Sequence, residues 1–169
     1  MSVNISFVDN LSDKEKYELL LTQIKSLLNA DEPIISNLAN VAAALKQTFS
    51  KISWVGFYIL HYDKLYLGPF QGNTACTAIE MGKGVCGTAA EKLETLIVKD
   101  VHAFPGHIAC DAGSNSEIVV PIKTKKKIWG VLDLDSYQLC AFDENDKLYL
   151  EKIIAIIADS LILSKFIMN

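Results

Sequence analysis

The stretch Ile52-Ser53-Trp54-Val55-Gly56-Phe57-Tyr58-Ile59-Leu60 decides the fold, because β-branched and aromatic residues alternate there with period two. Tyr62-Asp63-Lys64 then reads as a turn, and Leu65 to Phe70 resumes as a second strand. Side chains two apart on a strand share a face. Val55, Phe57 and Ile59 therefore point one way, and Trp54, Gly56 and Tyr58 the other.

A second hairpin lies downstream. Glu117 to Lys123 and Lys127 to Asp135 read as strands that turn at Lys125 and Lys126. Ile118, Val120, Ile122, Leu132 and Leu134 alternate with Glu117, Val131, Asp133 and Asp135. Upstream, Ser12 or Asp13 caps a helix to about Asn29, with Tyr17, Leu20, Leu21, Ile24, Leu27 and Leu28 at helical spacing. Pro33 suits the first turn of a second helix through Leu38, Val41, Leu45 and Phe49. Between the hairpins come a loop (Gln71 to Thr77), a short strand (Ala78 to Glu80), a helix after Gly82-Lys83-Gly84 (Val85 to Lys92) and a short strand (Thr95 to Val98). Asp100 to Ser116 has no periodicity and is a long loop of the kind that carries function. Asp143 opens the last helix, with Asp146 three residues on. Hairpins without repeated crossovers imply an α+β fold, an antiparallel sheet with helices packed on one face.

With 169 residues, half of them apolar, the chain can bury one core. A single domain over 1–169 is expected, with a helical part at 1–50, sheet and loops at 52–135 and a C-terminal helix at 143–167. A net charge of -4 argues against a nucleic-acid partner. No arginine is present, so an anionic group must be held by lysine, hydroxyls or backbone N–H groups. Met1 to Asp9 lacks the pattern of a signal peptide, and a cytoplasmic location is expected. Leu148 to Leu163 is apolar, but Glu151, Lys152 and Asp159 interrupt it, and it falls short of a membrane span. It reads as a buried or dimer-forming helix. Lys123, Lys125, Lys126 and Lys127 read as a solvated hairpin tip.

Cys76, Cys86 and Cys110 sit in Gly-rich or polar surroundings, which suggests thiol chemistry. Cys86 follows Gly82-Lys83-Gly84-Val85 at a helix start, where the dipole and Lys83 favour a thiolate. His102 and His107 share the long loop with Cys110. Three cysteines and two histidines also suit zinc, against which stands the lack of a C-x-x-C knuckle. A lone thiol nucleophile with His107 as base leaves two loop cysteines idle. Cys140 reads as packing and His61 as a surface residue. If the aliphatic sets face the helices, Trp54, Tyr58, Glu117, Asp133 and Asp135 share the opposite face. That face is either a wet surface or a pocket for something cationic and partly apolar. Two Asp at alternate strand positions need a reason. Grouped carboxylates repel, so at least one holds a proton that it can donate at neutral pH.

Several stretches resemble the free methionine-(R)-sulfoxide reductase family. They are Trp54-Val55-Gly56-Phe57-Tyr58, Leu67-Gly68-Pro69-Phe70-Gln71-Gly72, Gly82-Lys83-Gly84-Val85-Cys86-Gly87-Thr88-Ala89, Asp100-Val101-His102, and Gly106-His107-Ile108-Ala109-Cys110-Asp111. Ser114-Asn115-Ser116-Glu117-Ile118-Val119-Val120-Pro121 and Gly130-Val131-Leu132-Asp133-Leu134-Asp135 carry the same likeness. It implies a GAF fold, a sheet of about six antiparallel strands with helices, often dimeric through the terminal helices. It also implies reduction of the R epimer of free methionine sulfoxide.

By the same resemblance, Cys110 matches the attacking cysteine, and Cys76 and Cys86 the other two redox cysteines. Trp54 and Tyr58 match an aromatic wall, and Glu117, Asp133 and Asp135 an acidic cluster. The implied route runs from a Cys110 sulfenic acid to a disulfide with Cys76 or Cys86, reopened by a thioredoxin-type reductant without metal or organic cofactor. Glu117 and Asp135 are expected to hold the substrate ammonium, and backbone N–H groups of Asp111 to Ser116 its carboxylate. The rival reading is a GAF-type sensor that binds a small ligand without chemistry.

Overall fold

Ser12 starts the first helix through a reciprocal cap. Its hydroxyl accepts from the Glu15 amide (3.4 Å), while its own amide donates to the Glu15 carboxylate (2.9 Å). The computed structural model describes residues 10–108, 111–124 and 127–160. Helix α1 spans Asp13–Leu27 and α2 spans Ile34–Thr48. The Asn37 side chain accepts from the Asn29 amide (2.8 Å) and donates to its carbonyl (2.9 Å), closing the connection between them. Strands β1 (Trp54–His61), β2 (Lys64–Gln71) and β3 (Ala78–Glu80) follow, then helix α3 (Gly84–Lys92) and strand β4 (Leu96–Val98). A single 3-10 turn at Val101–Ala103 interrupts the long loop before β5 (Ser116–Thr124), β6 (Lys127–Ser136) and α4 (Glu144–Ser160). Asp143 caps α4 by accepting from the amides of Asn145 and Asp146, and its own amide donates to Asp146.

The six strands are ordered β3-β2-β1-β6-β5-β4, and every neighbouring pair is antiparallel. On one face Val55, Phe57, Ile59, Ile118, Val120, Ile122, Leu132 and Leu134 pack against α1, α2 and α4. Helix α3 differs. Val85, Cys86, Ala89 and Ala90 of α3 lie over Trp54, Tyr58, Val119 and Val131 on the other face. The short apolar stripe of α3 thus roofs the face that carries the carboxylates, which excludes the wet-surface reading. Lys125, Lys126 and the end of the expected C-terminal helix (161–167) lie outside the described residues.

One ionic lock joins three elements. Lys51 Nζ lies 2.8 Å from Asp13 Oδ2 and 2.8 Å from Asp146 Oδ1, and the Tyr17 hydroxyl donates to the same Asp146 oxygen (2.8 Å). Burial opposes the charge on Lys51, but its hydrogen bonds with Asp13 and Asp146 outweigh that and leave it raised. The lock bears on the site through its backbone. Ser136 Oγ donates to the Lys51 carbonyl (2.6 Å), and the Ser53 amide donates to the Asp135 carbonyl (2.9 Å), which fixes the end of β6 beside the start of β1. Among the described residues, no helix is long and apolar enough to cross a membrane.

Candidate active site

Strand register alone assembles the polar face of the sheet. Trp54 opposes Asp135, which in turn opposes Glu117, and one row along, Gly56 opposes Asp133. Gly56 is required here, because a Cβ at that position would sit 2.5 Å from the Trp54 ring and 2.5 Å from Phe70 Cβ. Gly72, at φ +135°, leaves the same clearance on the other edge of the indole. The indole stacks on Phe70 (5.5 Å) and Tyr58 (6.1 Å) and donates from Nε1 to the Asn73 carbonyl (3.0 Å). The Tyr58 hydroxyl donates to the Cys76 carbonyl (3.0 Å). The aromatic wall therefore also anchors the loop that carries Cys76.

One pocket is lined by Trp54, Tyr58, Cys86, Glu117, Asp133 and Asp135, so five expected binding residues and one expected cysteine meet. Glu117 and Asp133 are each only 6 % exposed. Burial, then the Asp133 and Asp135 charges, push Glu117 well above the usual carboxylate range. Burial and the neighbouring Asp133 do the same to Asp135, beside which the Ser114 hydroxyl lies. Asp133 is pushed up by burial to about 7. Its Oδ1 is buried without a hydrogen-bond partner among the described residues. The cluster is proton-rich, and no lysine among the described residues forms an ion pair with it. His107 is the nearest basic group, with Nε2 3.8 Å from Glu117 Oε2, and burial lowers its basicity.

The cysteines depart from expectation in two places. Cys86 is not a partly exposed thiolate: it lies buried in the first turn of α3, with Sγ 3.9 Å from Glu117 Oε1. Burial, then Asp133 and Glu117, raise its thiol well above the ordinary range, which overrides the helix dipole and Lys83. Cys140 does not pack in the core; it is an exposed free thiol at φ 53°. Cys76 is disulfide-bonded, whereas Cys86 and Cys140 are free. Cys110 lies outside the described residues.

In the Asp111 to Ser116 loop the amides of Gly113, Ser114 and Asn115 are donated within the fold, to Asp111 Oδ1, the Asp111 carbonyl and the Ser136 carbonyl. The three-cysteine zinc set is not assembled among the described residues, since Cys76 is oxidised and Cys86 faces carboxylates. Cys86, Glu117 and Asp133 do bring potential ligand atoms within 4.8 Å of one another. Sequence reasoning missed Asn73 and Tyr137 at the rim. Neither shows a pattern in the chain, and only the fold joins them to Asp111.

Residues 15–161 match the GAF domain family. The chain is 52% identical over 147 residues to GAF domain-containing protein A of Dictyostelium discoideum, covering 86% of this chain and 92% of that protein. It is 43% identical over 145 residues to the free methionine-R-sulfoxide reductase of Escherichia coli, covering 86% and 88%. The solved structure of free methionine-R-sulfoxide reductase from Neisseria meningitidis, in complex with its substrate, superposes with TM-score 0.88 at 45% identity over 97% of both chains. Fold, pocket and relatives agree: the chain has the GAF fold and belongs to the free methionine-(R)-sulfoxide reductase family.

Proposed function

We propose that this protein reduces free L-methionine-(R)-sulfoxide to methionine, with Cys110 as the attacking thiol. The observation that carries the reading is a proton-rich trio of carboxylates, two buried and Asp135 half-buried, facing two aromatic rings, in a pocket beside the loop of a disulfide-bonded cysteine. Glu117 and Asp135 are direct cross-strand partners, which suits them to clasp an ammonium between them. An ammonium there offsets the burial and the repulsion that otherwise keep both groups protonated. An internal peptide residue has no such group. Trp54 and Tyr58 offer ring faces to the methyl-sulfoxide end.

Asp133, with its acidity near neutrality and one oxygen unpartnered, is suited to protonate the sulfoxide oxygen as sulfur is attacked. The Cys110 thiolate attacks the sulfoxide sulfur, the protonated oxygen passes to the cysteine sulfur as its bond to the substrate sulfur breaks, methionine leaves as the thioether, and Cys110 becomes a sulfenic acid. Cys76 then attacks that sulfur; the S–O bond breaks, a disulfide forms and water departs. Support for Cys76 over Cys86 comes from oxidation state and burial: Cys76 is disulfide-bonded, and Cys86 is free and its thiol suppressed. The role left to Cys86 is that of a neutral hydrogen-bond donor to the acids. A thioredoxin-type protein reopens the disulfide, and the terminal helices pair two copies of the chain.

The test is electron consumption from a thioredoxin system with free (R)-sulfoxide, its (S) epimer and the N-acetylated (R)-sulfoxide. Turnover is expected only with the first. Equal rates on the N-acetyl compound would refute the ammonium site, and tight binding of free sulfoxide without turnover would favour a sensor instead.

A further inference from the structure

Three side chains from three separate segments, Asn73 and Tyr137 exposed and Asp111 half-buried, meet at the rim of the pocket. Tyr137, just past the end of β6, donates its hydroxyl hydrogen to Asp111 Oδ2 (3.0 Å). Asn73 Nδ2 lies 3.3 Å from that same oxygen and 3.0 Å from the Tyr137 hydroxyl. The node is braced on every side. The Asn73 carbonyl is held by Trp54, Asp111 Oδ1 accepts from the Gly113 amide (3.0 Å), and the Tyr137 ring lies against Gly113, where a Cβ would come within 2.9 Å of it. Backbone and side-chain donors keep the Asp111 carboxyl below its usual range, so it is an ionised, charge-strengthened acceptor.

Its position in the chain gives the node a consequence. Asn73 precedes Cys76 by three residues, and Asp111 directly follows Cys110. The node is seen with Cys76 disulfide-bonded, and we propose that Asn73, Asp111 and Tyr137 form a non-covalent clasp that persists when both thiols are reduced and holds the Cys76 loop against the Cys110 loop. Asn73 and Tyr137 are then positioning residues for disulfide closure and touch no substrate. The clasp replaces an open search by two loops with a local encounter, which raises the effective concentration of one sulfur at the other. It acts after methionine has left, on the step in which the Cys76 thiolate attacks the Cys110 sulfenic sulfur and the oxygen departs as water. This inference rests on the roles given above to Cys110 and Cys76.

The experiment is a single turnover of pre-reduced full-length protein with one equivalent of free methionine-(R)-sulfoxide. Methionine release, disulfide formation and capture of sulfenic acid by a carbon nucleophile such as dimedone are followed in parallel. Tyr137→Phe removes one donor, and Asn73→Asp sets a second carboxylate against Asp111; both sites are exposed, so the fold tolerates either change. Disulfide closure is expected to slow roughly three- to tenfold in each, as loss of an exposed charge-assisted hydrogen bond allows. Sulfenic-acid capture should rise, and the methionine burst should keep its rate. Closure at the parent rate, or equal slowing of the burst and the closure, would overturn the clasp. A Cys76→Ser control that captures no sulfenic acid at Cys110 overturns the underlying reading, and the clasp with it.

Discussion

The molecule buries carboxylates in two places and treats them in opposite ways. Asp146, 1 % exposed, meets the Lys51 ammonium and the Tyr17 hydroxyl, so its charge is matched within the fold. Glu117, Asp133 and Asp135 meet each other, a suppressed thiol and a weakly basic histidine. A buried charge left without a partner is costly, and such a group keeps its proton instead. The first site is complete in the free protein, and under the proposed function the second is completed by a ligand that brings a cation and accepts a proton.

The sharpest way to break this contrast is to alter one acid in each place. Asp133→Asn removes the proposed proton donor and should lower kcat on the order of 10²- to 10⁴-fold in a thioredoxin-coupled assay, without lowering the melting temperature. Asp146→Ala strands the buried Tyr17 hydroxyl and leaves Lys51 only Asp13 as partner, and should cost about 1–3 kcal/mol in urea denaturation, with kcat per folded molecule unchanged. Equal damage by both variants to stability and to turnover would erase the distinction.

A pH series refines it. Burial moves Asp133 from its ordinary 3.8 up to about 7, so the folded state keeps a proton that the unfolded chain releases. That contribution is fully present below about pH 4 and is lost as pH rises through about 7. The melting temperature of substrate-free Asp133→Asn, relative to the parent, should therefore climb between those two values. A flat difference would show that Asp133 is not the proton holder. The smallest effect is expected at Cys86. Cys86→Ser keeps a neutral donor beside Glu117 and should leave turnover within about threefold, an interval that corresponds to less than 1 kcal/mol. Loss of disulfide recycling in that variant would restore Cys86 to the redox chain.

Much of this contrast was legible before folding. Period-two alternation in β1, β5 and β6 placed Trp54, Tyr58, Glu117, Asp133 and Asp135 on one face, since register admits only two faces. Alternation does not reveal what covers a face, and so the roof formed by α3 stayed hidden. The same gap misdirected the reading of Cys86. A helix start and a nearby lysine argue for an ionised thiol, yet helical register turned Sγ down onto the carboxylates, where burial dominates. Cys140 was misread for a related reason: its apolar neighbours Leu139 and Ala141 suggested packing, but a left-handed turn lifts the thiol into solvent. Asn73 and Tyr137 lie 64 residues apart, and no local pattern announces a partnership made only by tertiary structure.

The hydroxyl hydrogen of Tyr58 is already committed to the Cys76 carbonyl, so an incoming molecule meets the flat of the ring and no free donor. Under the proposed function, recognition and recycling are wired through one side chain. A phenylalanine at that position would preserve the surface a guest encounters while untethering the loop behind it, so the two duties can be pulled apart by deleting a single oxygen atom.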